Sequence, residues 1–307
     1  MLQEIMELME LLDTHKADGS VVAEWLAGVG LEAVEVTRVE GKDGATDFIK
    51  AEIRGLDPSG PTLGIIGRLG GVGAFPRKLG LVSDADGAIV ALASAAKLAK
   101  MRKQGDLLKG HIIVATHICT CSPIIPHEPT PFMGSPVDIH TMNRYEVDQR
   151  MEAILSVDTT KGNRIVNRPG FAITPTVKEG YILRVSNDLL DIMEAVTNEM
   201  PVVVPISQQD ITPYGNGLYH LNSILQPSTA TAAPVVGVAT TASIPVPGCA
   251  TGANQPFWLE QAARFCVEVA KAFTLRQCRF YDPDEYQRLV ELYGPMKHFQ
   301  TLGKKEA

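Results

Sequence analysis

Several things are scarce in this 307-residue sequence, and each scarcity narrows the reading. No apolar run approaches the ~18 residues that a membrane-spanning helix needs, so no span is expected. Basic residues do not dominate. Lys and Arg total 28 against 35 Asp and Glu, a formal net charge of -7, which argues against nucleic acid or an anionic membrane as partner. Cysteines number five, an odd count at irregular spacings, so a disulfide framework is not expected and a reduced, cytoplasmic protein is. The opening MLQEIMELMELLD has acidic residues where a signal peptide carries basic ones, and no small-residue cleavage site follows. Internal repeats, low-complexity tracts and a recognisable linker are absent, so residues 1–307 are expected to form a single α/β domain. The glycine-rich stretch Gly67–Gly73 lacks the G-K-[ST] ending of a phosphate loop, and no G-x-S-x-G nucleophile elbow occurs.

What is present is a core-forming composition, 45% hydrophobic and 21% charged, with short apolar runs alternating with helical patterns. Leu63–Ile66, Ile112–Ala115, Ile154–Val157, Val202–Pro205 and Val235–Val238 read as buried strands of one sheet. EAVEVTRVEG and DFIKAEIRG read as two strands joined near Gly41–Gly44, and FAITPTVKEGYILRVS as two short extended pieces around Glu179-Gly180. A short strand is expected to end near Val82. Helices are expected over 2–12, after Ser20 as N-cap, from Ile89 to Leu98, over 144–153, over Asp188–Val196 capped by Ser186, over 258–273, and after the capping sequence Asp282-Pro283-Asp284-Glu285.

The candidate site centres on residues 110–158, GHIIVATHICTCSPIIPHEPTPFMGSP through ILSVD. In open α/β sheets ligands bind at the carboxyl ends of strands, so His117 and Asp158 are expected to point into one crevice. Asp84 and Asp86 fall at the start of a helix, where one of them could serve as N-cap. Asp158 follows apolar residues and must leave the core hydrogen-bonded, liganded or in a salt bridge to Lys161 or Arg164. Between the two strands lies a long proline-stiffened loop carrying His127, Glu128 and His140, and loops of such length are usually functional or disordered. QQDITPYGNGLYHLNSI adds Asn216 and His220 at another strand end. His117-x-Cys119-x-Cys121 has metal-ligand residue types without zinc-finger spacing. Cys119 or Cys249 would need a neighbouring base to act as nucleophile.

The order of these parts, GRLGGVG, SDADGAIVALASAAKL, THIC, SVD and a late PVVGV, resembles the zinc-dependent amino- and carboxypeptidases of the MH clan. THICTCSPIIPHEPTPFMGSP and QDITPYGNGLYHLNSILQP look like an uncharacterised bacterial and archaeal family of domain-of-unknown-function proteins. The peptidase resemblance implies a three-layer α/β/α fold with a mixed central sheet, zinc-peptidase-like (phosphorylase/hydrolase-like). It implies zinc or another divalent metal and a small-molecule or short peptide-like substrate cleaved at an amide bond. It also implies a homo-oligomer, for which the Met-rich face of the first helix is the candidate surface. It places Asp84 at the metal-bridging aspartate and Asp158 at a later acidic ligand. The sequence departs from the pattern elsewhere. Arg68 and Gly70 stand at the His-x-Asp pair, His117 at the Glu-Glu pair, and Gly248-Cys249 at the last histidine.

The expected metal ligands are therefore Asp84, His117 and Asp158, supplemented by His127 or His220. Glu128 is the expected catalytic base. Arg68, His140, Asn216 and Cys249 are the expected substrate-binding residues. The alternative is a non-catalytic small-molecule-binding or regulatory protein on the same fold with its metal site lost. In that case Arg68 should contact one of the carboxylates, because two buried carboxylates without a cation repel.

Overall fold

The computed structural model describes residues 1–304 except 32, 43, 69, 70, 75, 76, 78, 221 and 222. Its frame is a nine-stranded mixed sheet. The strands are β1 Val34–Gly41, β2 Gly44–Ile53, β3 Thr62–Gly67, β4 His111–Ile118, β7 Ala153–Thr159, β8 Gly170–Ile173, β9 Val177–Lys178, β10 Tyr181–Ile182 and β11 Val235–Thr241. A separate two-stranded ribbon pairs β5 Ile124–Ile125 with β6 Phe132–Met133. The sheet order is β1-β2-β4-β3-β7-β11-β9-β10, with β8 also on β11. β4, β3, β7 and β11 run parallel, and antiparallel strands flank them at both edges.

The parallel strands are mostly apolar and almost wholly buried, as suits strands covered on both faces. One face is covered by α1 Leu2–Leu12, α2 Gly19–Val29, α3 Asp86–Lys103, α5 Asn187–Thr197 and α6 Pro256–Thr274, over the largest apolar core. The other face carries α4 Ile139–Glu146 and irregular chain, over a second cluster that includes Ile66, Ile113, Ile154 and Val235. α7 Pro283–Tyr293 lies beyond the β9–β10 hairpin, where Tyr286 donates to Glu179 at 2.6 Å. Among the described residues no helix is long and apolar enough to cross a membrane.

Four of the five expected strands lie in this one sheet. Val202–Pro205 does not form a strand. It makes only a bridge from Val203 to Ile173, because Pro201 and Pro205 lack the N–H that a ladder requires. The expected strand at Val82 is instead an extended N-cap to the short 3-10 turn Ser83–Ala85. Neither Asp84 nor Asp86 is an N-cap, since the residue before α3 is Ala85 and no side chain caps it. The helix expected over 144–153 begins earlier, at Ile139, because Asp138 accepts from the N–H groups of His140 and Thr141. Asp18 rather than Ser20 caps α2. The apolar face of α1 is not unpartnered: Ile5, Leu8 and Leu12 are fully buried in the main core, and only Leu2 and Met6 remain exposed. Much of that face is taken up by the core of the fold, and Leu2 and Met6 are the part left at the surface.

β3 sits between β4 and β7; α3, which follows β3, covers one face of the sheet and α4, which follows β4, the other, and sheets of this kind bind ligands at the carboxyl ends of such strands. Two glycines let α3 come down onto this point. A Cβ on Gly87 would collide with the carbonyl oxygen of Arg68, and one on Gly67 with the carbonyl oxygen of Gly87. Gly87→Ala is accordingly expected to destabilise the fold by roughly 1–3 kcal/mol, the usual cost of overpacking. Denaturant unfolding measures this directly, and unchanged stability would mean that the helix and strand are not in this contact.

Candidate functional site

Arg68 follows β3 directly, and its backbone N–H donates to the Val157 carbonyl at 2.7 Å. The side chain is fully buried. Its Nη1 bonds the Glu146 carboxylate and reaches Asn143 Oδ1 at 3.4 Å. Glu146, the last residue of α4, is also fully buried, and its other oxygen meets His117 Nδ1 at 2.5 Å. His117 lies near the end of β4 across from Phe48, ring centroids 5.6 Å apart, and Phe48 stacks on Tyr145 of α4. Burial alone would raise the Glu146 pKa, but the charges and hydrogen bonds of Arg68 and His117 hold it below the usual range.

Asp158 stands on the neighbouring strand, fully buried. One oxygen accepts from the Thr159 N–H at 2.6 Å and the other from the Ser223 hydroxyl at 2.8 Å. Burial dominates nevertheless and pushes its pKa up to about 7, against the lowering effects of those bonds and of Arg68. Asp84 is buried beside it, its N–H donating to the Gly248 carbonyl at 3.1 Å. Burial first, then the charges of Asp158 and Asp86, push the Asp84 pKa well above the carboxylate range, while Lys161 opposes them. Asp86 is satisfied. It meets Lys161 Nζ at 2.5 Å, Asn254 Nδ2 at 2.7 Å and Thr240 Oγ1 at 2.8 Å.

These contacts revise the expected partnerships. Lys161 pairs with Asp86 rather than with Asp158. The contact expected of Arg68 with Asp84 or Asp158 is not the one it makes: its direct partner is Glu146, and Asp158 feels it through space. Glu146, Asn143, Lys161 and Ser223 were not singled out as functional. The signal for Glu146 was Asp138, whose N-cap geometry sets where α4 begins and so carries Glu146 to its buried end.

The remaining candidates make other contacts. His127 sits between Phe132 and Tyr219, ring centroids 5.4 and 5.2 Å away, with a buried Nε2 that has no hydrogen-bond partner. His220 stacks on Tyr214 at 4.2 Å, and its ring nitrogens approach the Leu218 carbonyl at 3.1 Å and Thr212 at 3.3 Å. Asn216 donates to Thr212 Oγ1 at 3.3 Å and accepts from the Leu218 N–H at 3.1 Å, an intra-loop role. Cys249 is half-buried against Ala74, Val82 and Met133, next to the Gly248 that touches Asp84. Glu128 is exposed on the proline-rich loop. His140 lies at the outer side of α4 and lines a cavity of about 390 Å³ with Asn143 and Arg144. Gly70 falls outside the described residues.

Whether these residues suit a divalent metal follows from their donors. Zinc takes three or four N, O or S ligands at ~2.0–2.3 Å. Among the described residues no three His, Cys, Asp or Glu side chains gather closely enough to hold an ion. His117 Nδ1 faces Glu146, Asp158 accepts from Ser223 and Thr159, and His127 and His220 lie in aromatic stacks. A guanidinium stands at the end of β3, where the peptidase pattern has a histidine. The described side chains do not fit the group, and the five expected ligands do not form one set. Charge balance instead comes from Arg68 and Lys161, with Asp84 and Asp158 retaining protons above the usual carboxylate range.

The architecture is that of the aminopeptidase-like α/β proteins. The chain matches the leucine aminopeptidase of Caenorhabditis elegans with a TM-score of 0.55 at 12% identity, covering 91% of this chain and 65% of that one. It thus spans about two thirds of that enzyme's length. It also matches the bottromycin maturation enzyme BotP, solved in complex with Mn, with a TM-score of 0.51 at 14% identity, covering 88% of this chain and 71% of that one. Identities this low establish a shared fold. Residues 37–303 match the model of the family described as "Protein of unknown function (DUF1177)", and the chain belongs to that family. A search of curated proteins found no match.

Proposed function

We propose that the protein is a hydrolase that cleaves an amide bond in a small, peptide-like substrate held in the crevice at the ends of β3, β4 and β7. Protein groups do the work assigned to metal in the peptidases that its sequence resembles. The observation that carries this reading is Asp158, a fully buried carboxyl with a pKa of about 7 at the switch point of the sheet. A general base is most effective when its pKa lies near the working pH. Ionised Asp158 takes a proton from water as the oxygen attacks the substrate carbonyl. The same carboxyl then returns that proton to the leaving nitrogen. Ser223 and the Thr159 N–H orient the carboxylate during both transfers. Glu128, exposed on its loop, is less well placed for either transfer.

A panel of dipeptides and N-acyl amino acids tests the proposal, assayed with and without a strong chelator after removal of adventitious metal. Chelator-insensitive hydrolysis that rises with pH through about 7 is the expected result. Hydrolysis that stops on chelation and returns with zinc or manganese would overturn it.

A second reading has support of its own. Arg68, Glu146 and His117 form a buried cluster joined through Glu146, as suits a binding protein without turnover. Ligand binding by calorimetry without product formation would favour that reading. A homo-oligomer belongs to the proposal as well, and light scattering at low concentration giving only monomer mass would remove that part.

A further inference from the structure

Arg68 uses only one of its terminal nitrogens. Nη1 serves Glu146 and Asn143, but Nε and Nη2 are buried with no hydrogen-bond partner. Unmet buried donors of this kind cost ~1–3 kcal/mol each, and more when the group is charged, so the arrangement calls for an acceptor. Among the described residues no carboxylate supplies it. Glu146 is shared between Nη1 and His117, Asp158 is bonded to Ser223 and Thr159, and Asp86 to Lys161. The unpaired Nε–Nη2 edge is one of the flat, two-donor edges of a guanidinium, and two parallel N–H groups match the two oxygens of a carboxylate.

The geometry points to a carboxylate-binding subsite on that edge of Arg68, so that the crevice takes substrates or ligands bearing a free carboxylate. This rests on the proposed use of the crevice and adds the chemical class of what enters it. Both donors are enclosed, so the crevice wall parts to admit the ligand and closes over it. Glu146 fixes the guanidinium from the opposite side, which pre-organises the free edge. A carboxylate arriving there meets a cation in a site that excludes water, where a charge-assisted pair is strongest.

The test compares N-acetylglycine with N-acetylglycinamide, which differ only in the charged end, and with inorganic phosphate, each titrated calorimetrically into the full chain. The acid is expected to bind at least 10-fold tighter than the amide, and more tightly than phosphate. Arg68→Lys keeps the charge facing Glu146 but lacks the fork, and is expected to lose at least 10-fold in affinity for the acid while keeping its circular dichroism spectrum. Should that variant fail to fold, the Arg68 Nε–H proton resonance of the unmodified protein gives the answer. It is expected to shift with the acid and not with the amide. Equal affinity for acid and amide, preference for phosphate, or an unmoved Nε–H resonance at saturation would each overturn the subsite. Binding of the acid without cleavage of any amide would remove the hydrolase proposal and leave the subsite standing. Cleavage of neutral amides that Arg68→Lys does not alter would do the reverse.

Discussion

Replacing Asp158 with asparagine is expected to abolish turnover and, at alkaline pH, to make the protein more stable. The two effects share one cause. In the folded chain this carboxyl titrates at about 7, because burial disfavours its charge more than Ser223, Thr159 and Arg68 favour it. In the unfolded chain it titrates near the ordinary ~3.9. A folded-state pKa above the unfolded value means that the folded state holds the proton more tightly. The associated stability is fully present below pH ~4, declines between about 4 and 7, and is lost above 7. A shift of three units corresponds to at most about 4 kcal/mol, at ~1.4 kcal/mol per unit. Asparagine carries no charge, and its Oδ1 can accept from the Thr159 N–H while its Nδ2 donates to the Ser223 Oγ. The variant should therefore gain roughly 2–4 kcal/mol at pH 8.5, little at pH 4, and lose this part of the pH dependence. As the proposed base, the wild-type carboxyl must be ionised, so activity is expected where this group costs the protein stability. Unfolding curves at the two pH values check the first half and a rate assay the second. A variant that is less stable at pH 8.5 would mean that Asp158 is ionised and well paired in the folded state.

The second large effect concerns Glu146. It contacts both Arg68 and His117, and all three are buried. Removing one partner of a buried ion pair strands the other charge away from water, which costs ~3–5 kcal/mol. Glu146→Ala should approach that value, because it also leaves a void at the end of α4. Pairing it with Arg68→Met removes both charges and should recover much of the loss, since an apolar replacement of a buried pair is often neutral. A double-mutant cycle by denaturant unfolding gives the coupling. Additive losses would show that Arg68 and Glu146 do not depend on each other.

The parts of this molecule that sequence reading located follow from local rules. Short apolar runs marked β3, β4, β7 and β11 because a parallel sheet covered on both faces needs apolar residues throughout. Capping chemistry placed α5 at Ser186 and α7 at Asp282. The places of Arg68, Asp84, His117 and Asp158 were legible because each falls at the end of a strand or the start of its helix. Their partners were not legible. That His117 and Arg68 meet at Glu146 depends on α4 crossing the sheet near β2 and β4, and on Asp138 starting that helix five residues earlier than hydrophobic spacing suggested. Lys161 lies three residues after Asp158 but turns to Asp86, whose place is fixed by α3 resting on Gly67 and Gly87. Such pairings are decided by how helices pack on the sheet, which no spacing along the chain encodes.

The central claim is that Arg68 and the proton-holding carboxyls do in this crevice what a metal does in peptidases of similar fold. Elemental analysis of the full chain, purified without chelator and exchanged into metal-free buffer, tests it most directly. The account predicts no stoichiometric divalent metal, and the same pH-dependent stability before and after chelation. One equivalent of zinc or manganese per chain, lost together with stability in both Asp84→Ala and Asp158→Ala, would contradict it.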